Sequence, residues 1–106
     1  MNYYDFELDE NKNYYMVLGG RGGGKIFHFL NDLSRLLCEH YHFNKYTICE
    51  FSVFWTIELR NYKGSNFCCS VTIMNDQFQK RSYDELTRYI IEGIRQEVEV
   101  YDKTKG

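Results

Sequence analysis

The chain has 106 residues and a formal net charge of -2, so it is long enough for one hydrophobic core and too short for two. Its hydrophobic fraction of 43% and aromatic fraction of 18% supply a packed interior and argue against disorder over any long stretch. The near-balanced charge argues against a dedicated duplex nucleic-acid binder, and no apolar stretch reaches the ~20 residues that span a bilayer. We expect a single domain over residues 1–106, located in the cytoplasm.

The N-terminal part of the chain has the pattern of a β-hairpin followed by a helix. Residues 3–8 alternate weakly between polar and apolar side chains, a polar cluster covers 9–13, and an apolar run covers 14–18. From Lys25 to about His40, apolar residues recur at three- and four-residue spacing, which predicts a helix with one buried face. These positions are Ile26, Phe29, Leu30, Leu33, Leu36 and Leu37.

The middle of the chain has the strongest strand patterns. Residues 51–60 alternate with period two, and the apolar members of the alternation are Phe51, Val53, Trp55, Ile57 and Leu59. A turn over 61–66 precedes a second alternating run over 67–74, so we predict a long hairpin. Within the second strand, Cys68 and Cys69 point to opposite faces, so at most one of them can lie in the core.

A second helix is predicted at the C-terminal end. Ser82 and Glu85 match a capping box, and apolar residues at four-residue spacing continue the helix to about Tyr101. Gly93 costs this helix about 1 kcal/mol relative to Ala, which indicates a close contact with another element. Residues 102–106 are expected to form a frayed tail. The predicted fold is α+β in the order ββαββα, an antiparallel sheet of about four strands with both helices on one face.

A glycine-rich segment lies between the second predicted strand and the first helix. Its residues are Gly19, Gly20, Arg21, Gly22, Gly23, Gly24 and Lys25. The segment fits the phosphate-binding-loop template through Lys25 and departs from it at Ile26, where a Mg²⁺-binding hydroxyl should stand. Its backbone N–H groups, the following helix and Lys25 could form a phosphate cradle. The alternative interpretation is a flexible strand-to-helix connection.

From Tyr14 to Lys25 the sequence resembles the P-loop start of phage DNA-packaging ATPases of the terminase type, in which an aromatic-rich strand precedes a Gly-Gly-Arg-Gly-x-Gly-Lys-Ser/Thr loop. The resemblance implies that Lys25 contacts the β- and γ-phosphates of a nucleotide and that Arg21 is a further phosphate contact. The segment from Arg21 to Gly24 also resembles the pyrophosphate loop of acetyltransferases, whose Arg-x-x-Gly-x-Gly/Ala motif precedes a helix. Ile26 departs from both patterns.

A cluster of metal-binding residue types ends the first predicted helix. Cys38, His40 and His42 are close in sequence, and Cys49 offers a fourth ligand for a tetrahedral Zn²⁺ site. The spacing matches no recognised zinc pattern, and the helix dipole and core packing account for these residues without a metal. We therefore predict no metal, no other cofactor and no catalytic residue, with Cys38, His40 and His42 as the weak metal candidate.

The chain carries more aromatic side chains than one small core is expected to hold. The surplus residues are Tyr3, Tyr4, Tyr14, Tyr15, Tyr41, Phe43, Phe54, Tyr62 and Phe78. Phe54 lies on the otherwise polar face of its strand, and exposed aromatic and Arg side chains are typical anchors of protein interfaces. We take Phe54, Arg60 and Tyr62 as candidate partner-binding residues. A second copy of the chain is an equally open occupant of that surface.

These observations favour a small, non-catalytic binding protein. The chain lacks Pro and Ala and is rich in Tyr, Phe, Asn, Ile and Lys, a bias typical of AT-rich genomes such as those of low-GC bacteria and their phages. We predict a phage or mobile-element accessory factor that inhibits a host-defence complex by protein–protein binding, as anti-CRISPR proteins do. The alternative is a phosphate- or nucleotide-binding module using Gly19–Lys25, and the third candidate is a structural phage component.

Overall fold

A computed structural model describes residues 2–9, 11, 13–19 and 24–105 of the chain. In chain order the elements are β1 (Asn2–Leu8), β2 (Tyr14–Gly19), α1 (Gly24–Tyr41), β3 (Lys45–Glu50), β4 (Phe54–Arg60), a 3-10 turn (Tyr62–Gly64), β5 (Cys68–Met74), the short helix α2 (Gln77–Lys80) and α3 (Tyr83–Lys105). In this part of the chain, the strands form one five-stranded antiparallel sheet in the order β2-β1-β3-β4-β5. The predicted α+β class is confirmed, with one strand and one short helix more than expected.

The additional strand is β3, at the centre of the sheet. Its sequence alternates between polar Lys45 and Thr47 and apolar Tyr46 and Ile48, but over four residues only, and this short run was not among the predicted strands. Thr47 is buried as well as Tyr46 and Ile48. The hairpin between β3 and β4 closes where the Phe51 N–H donates to the Phe54 carbonyl at 2.8 Å. The predicted strand over 51–60 therefore begins only at Phe54.

One face of the sheet is covered by α1 and α3. The buried strand residues on this face are Tyr4, Phe6, Tyr46, Ile48, Trp55, Ile57, Leu59, Cys69, Val71 and Ile73. The buried helix residues that pack on them are Phe27, Leu30, Leu33, Leu37, Cys38, Leu86, Ile90, Ile94 and Val98. Burial of a large apolar side chain contributes about 1.5–3 kcal/mol, so this shared core holds the helices to one side. The predicted placement of both long helices on one face is confirmed.

The start of α3 is capped as the sequence predicts. The Ser82 hydroxyl accepts from the Glu85 N–H at 3.2 Å, and the Glu85 carboxylate accepts from the Ser82 N–H at 3.3 Å. The helix continues through Lys105, so the expected frayed tail is helical over 102–105. Asp102 accepts a hydrogen bond from the Tyr62 hydroxyl at 3.0 Å, which ties this last turn to the core.

Candidate functional site

The second face of the sheet carries neither of the two long helices. We call it the open face, and its residues are Tyr3, Asp5, Glu7, Lys45, Thr47, Cys49, Phe54, Thr56, Glu58, Arg60, Cys68, Ser70, Thr72 and Met74. They alternate along the strands with the core residues, because successive side chains of a strand point to opposite sides. The strand pairing arranges them in rows that run across the sheet, and the chemistry changes from one end of the strands to the other.

The charged end of the open face consists of paired side chains. Lys45 Nζ lies 2.9 Å from Glu7 Oε1, and Arg60 Nε lies 2.5 Å from Glu58 Oε1. All four side chains are about two-fifths exposed, and pairs of this kind stabilise a fold by only about 0–1 kcal/mol. Their main effect is therefore to fix the positions of the charges.

Thr47 and Asp5 form the most buried polar contact of this face. Thr47 is 3% exposed, and its hydroxyl donates to the Asp5 carboxylate. Partial desolvation lowers the pKa of the nearby Arg60 guanidinium, but the hydrogen bond to Glu58 and the negative charge of Glu58 raise this pKa by more. The net effect is a raised pKa. Arg60 therefore remains a fixed positive charge among carboxylates.

The opposite end of the open face is apolar. The Phe54 ring stacks on the Phe51 ring with centroids 4.5 Å apart, and Phe54 is paired with the exposed Met74 in the neighbouring strand. Val53, in the adjoining turn, is 56% exposed, although the sequence pattern placed it on the buried face. A shallow cavity of about 390 Å³ beside this end is lined by Ser52, Val53, Met74, Asn75 and Asp76.

Two of the three predicted partner-binding residues lie on the open face. Phe54 and Arg60 are at opposite ends of β4, about 20 Å apart at the rise of an extended strand. The prediction that Tyr62 lies on a partner-binding surface is wrong, because its side chain is 3% exposed and lies in the core. The 3-10 turn folds it back, and it packs in an aromatic cluster formed by Phe43, Tyr62, Phe67 and Tyr101.

Other surplus aromatic residues are also core residues. Tyr4 and Phe43 are buried, and Tyr14 packs against Tyr46 with its hydroxyl 3.4 Å from the Phe43 carbonyl. These three residues therefore belong to the core or pack against it, whereas Tyr15 is 51% exposed, so the nine aromatic residues do not all enter the core.

Apart from Arg60, sequence reasoning missed the charged residues of the open face. In β1, Asp5 and Glu7 alternate with the buried Tyr4 and Phe6, and this pattern could have placed both carboxylates on the open face. Their proximity to β4 depends on the intervening strand β3, which was not among the predicted strands.

The glycine-rich segment is described only at its two ends. Gly20, Arg21, Gly22 and Gly23 lie outside the described residues. Gly19 ends β2, and Gly24 begins α1 with a φ of 83°, a left-handed value that favours glycine. Lys25 is exposed on the first turn of α1.

A cavity of about 600 Å³ adjoins this first turn. Its lining residues are Gly24, Lys25, Ile26, Phe27, Glu50, Trp55, Asn75, Phe78, Gln79 and Tyr83. Trp55, Phe78 and Tyr83 provide aromatic surface, and Lys25 provides a positive charge. Glu50 introduces a negative charge that opposes an anionic ligand.

The metal candidate residues do not converge. Cys38 is buried and its Sγ lies 3.6 Å from the Lys45 carbonyl, whereas His40 and His42 are exposed. Cys49 lies on the open face. Among the described residues, no three His, Cys, Asp or Glu side chains form a group that could hold a metal ion.

In the described ranges, no helix combines the length and the apolar character that a transmembrane segment requires.

In comparisons with known proteins, no family model matches the chain, and no curated protein or solved structure shows significant similarity to it.

Proposed function

We propose that the chain is a non-catalytic binding protein that recognises a protein partner through its open face. The observation that carries this proposal is a five-stranded sheet on which, in the part of the chain that the structure describes, both long helices pack against the same side. Its other side combines an aromatic end at Phe54 with an ordered set of charges around Arg60. Aromatic and Arg side chains are enriched in protein interfaces, and fixed charges give such interfaces their specificity.

The dimensions of the open face indicate how a partner would use it. Five strands span about 20 Å and β4 is about 20 Å long, which gives a footprint of about 400 Å². A standard interface buries about 800 Å² on each partner. A partner would therefore extend beyond the sheet, and the exposed apolar turn at Val53 is the natural continuation.

Within this class, we propose that the chain is a phage or mobile-element accessory factor that inhibits a host-defence complex by occupying it, as anti-CRISPR proteins do, in the cytoplasm of the host. The composition bias and small size of the chain support this narrower proposal. The open face supplies the kind of surface that such an inhibitor needs.

The test uses a bacterium whose defence system restricts a phage, with the chain expressed from a plasmid. We expect plaque formation to rise by orders of magnitude with the wild type and not with the double variant Phe54→Ala, Arg60→Ala. The matched control is Arg88→Ala, Val100→Ala on α3, where both side chains are exposed away from the open face, and this variant should act as the wild type does. Equal plaquing by the two double variants would contradict a role for the open face, and restriction unchanged by the wild type across a panel of defence systems would contradict the inhibitor proposal.

A second candidate function is phosphate or nucleotide binding at the cavity beside Lys25. The specific observation in its favour is the cavity's volume, about 600 Å³, which lies within the range of about 300–1,000 Å³ for ligand pockets. Lys25 and the start of α1 would meet the phosphate, and Tyr83 would face a base or acyl group.

Thermal-shift titrations with ATP, GTP, acetyl-CoA and phosphate, each with and without Mg²⁺, test this candidate. A ligand at 100-fold above its Kd adds about 2.7 kcal/mol to the free energy of unfolding, so binding is readily visible. A shift that Lys25→Ala abolishes and the control Lys103→Ala retains would establish the site. No shift with any ligand would identify the glycine-rich segment as a connection only.

A further inference from the structure

The cavity beside Lys25 contains a carboxylate that a phosphate group would not contact. Glu50 ends β3 and lines this cavity together with Trp55. Within the part of the chain that the structure describes, Glu50 takes part in none of the ion pairs, so its charge is not paired. A carboxylate accepts hydrogen bonds and donates none, so a ligand that fills this cavity must bring N–H or O–H groups to Glu50.

The strand register holds Glu50 in place beside the Trp55 ring. Asn2, Glu50 and Trp55 are directly opposite one another in β1, β3 and β4, and residues paired in this way have Cβ atoms about 5 Å apart. Asn2 Nδ2 donates to Glu50 Oε1 at 2.8 Å, which fixes the carboxylate from one side. Each carboxylate oxygen accepts about two hydrogen bonds, so both oxygens of Glu50 can still accept from a ligand.

Aromatic side chains provide much of the remaining wall of this cavity. Trp55 comes from the sheet, Phe78 from α2 and Tyr83 from the start of α3. The Phe29 ring lies 4.6 Å from the Tyr83 ring, centroid to centroid, and supports it from α1. Aromatic side chains stack on nucleobases without selecting among them, because every base has a π face. The rings therefore suit a base, and its identity depends on the polar group beside them, which is Glu50.

We propose that this cavity selects guanine nucleotides and that Glu50 recognises the base, an inference that rests on the second candidate function. Guanine carries its N1–H and its N2 amino group side by side, so both can donate to the two oxygens of one carboxylate. Adenine and cytosine set a ring nitrogen that accepts beside their amino group, which would oppose the second oxygen of Glu50. Uracil has a single N–H between two carbonyl groups. A guanine nucleotide thus uses both charges of the cavity, with its base at Glu50 and its phosphates at Lys25.

The proposal is tested by the Kd values of the full chain for GTP, ATP and ITP, measured by isothermal titration calorimetry with Mg²⁺. We expect GTP to bind about 10-fold or more tightly than ATP, the discrimination typical of a bidentate contact to a base. ITP keeps the N1–H and lacks the N2 amino group, so its affinity should lie between the two. Glu50→Gln should remove the preference for GTP, because a carboxamide offers one accepting oxygen. The matched control Glu39→Gln makes the same change at an exposed position of α1 and should keep the preference.

The outcomes separate this inference from the function on which it rests. Equal affinities for GTP and ATP would overturn the selection of guanine and leave nucleotide binding standing. A preference for GTP that Glu50→Gln leaves unchanged would overturn the role of Glu50, and no binding of any of the three nucleotides would overturn both the inference and the candidate function. If Glu50→Gln fails to fold by circular dichroism, equal affinities of the wild type for GTP and ITP would overturn the proposal without a variant.

Discussion

At the level of single residues, the open face depends on the contact between Thr47 and Asp5. We expect Thr47→Val to lower the free energy of unfolding by about 1 kcal/mol, because the carboxylate loses a donor in a site that is mostly shielded from water. Urea denaturation measures the change. The control Thr72→Val removes an exposed hydroxyl from the same face and should be close to neutral. Equal effects of the two substitutions would show that the contact with Asp5 contributes nothing.

Glu97 gives the fold a dependence on pH. Desolvation against β5 raises the pKa of its carboxyl above the ordinary value, and the hydrogen bond from the Ser70 N–H only partly counteracts this. The folded state therefore binds the proton more tightly than the unfolded state, so this contribution to stability is present at low pH and is lost as pH rises through the raised pKa.

Replacement of Glu97 by Gln removes the charge and keeps an oxygen that accepts from Ser70. We expect Glu97→Gln to raise the melting temperature at neutral pH, with the gain disappearing below about pH 4, where both states of the wild type are protonated. Glu99→Gln is the control, because Glu99 pairs with Arg95 and its neutralisation removes a favourable contact. A gain that is constant across the pH range would contradict the assignment to the Glu97 charge.

At the level of elements, α3 passes close to the sheet at Gly93. A Cβ built at this position lies 3.4 Å from Val71 Cγ2, which is an ordinary contact distance. Because Gly in a helix interior costs about 0.8–1 kcal/mol relative to Ala, we expect Gly93→Ala to stabilise the protein by up to about 1 kcal/mol in urea denaturation. Gly64→Ala should destabilise it, because Gly64 has a φ of 78°. Destabilisation by Gly93→Ala would show that Val71 cannot accommodate the methyl group.

The accuracy of sequence reasoning also differed from element to element. The capping box at Ser82 fixed the start of α3 from local chemistry alone, and the alternation of Trp55, Ile57 and Leu59 fixed the face of β4. β3 was missed because its alternation covers only Lys45 to Ile48, which is too short to stand out from a connecting segment. The burial of Thr47 could not be predicted, because it depends on Asp5, a residue 42 positions away. Tyr62 was misread as a surface residue because its burial depends on a 3-10 turn and on the distant ring of Tyr101.

At the level of the whole molecule, the layer arrangement was predictable and the candidate site was only partly so. Two amphipathic helices and several strands imply one sheet with helices on one side, and this follows from the periodicity of each segment. The composition of the open face instead depends on strand order and register. Phe54 and Arg60 were identified from β4 alone, whereas their neighbours Lys45 and Asp5 come from strands that only the folded chain brings together.

The hydrogen bond between the Tyr62 hydroxyl and Asp102 joins two positions that lie 40 residues apart in the chain. Because a ribosome makes a chain from its N-terminus onward, the 3-10 turn that holds Tyr62 is synthesised well before the last turn of α3. The aromatic cluster of Phe43, Tyr62, Phe67 and Tyr101 can therefore close only after synthesis has passed Asp102. The end of α3 thus completes, during synthesis, a core that the strands begin.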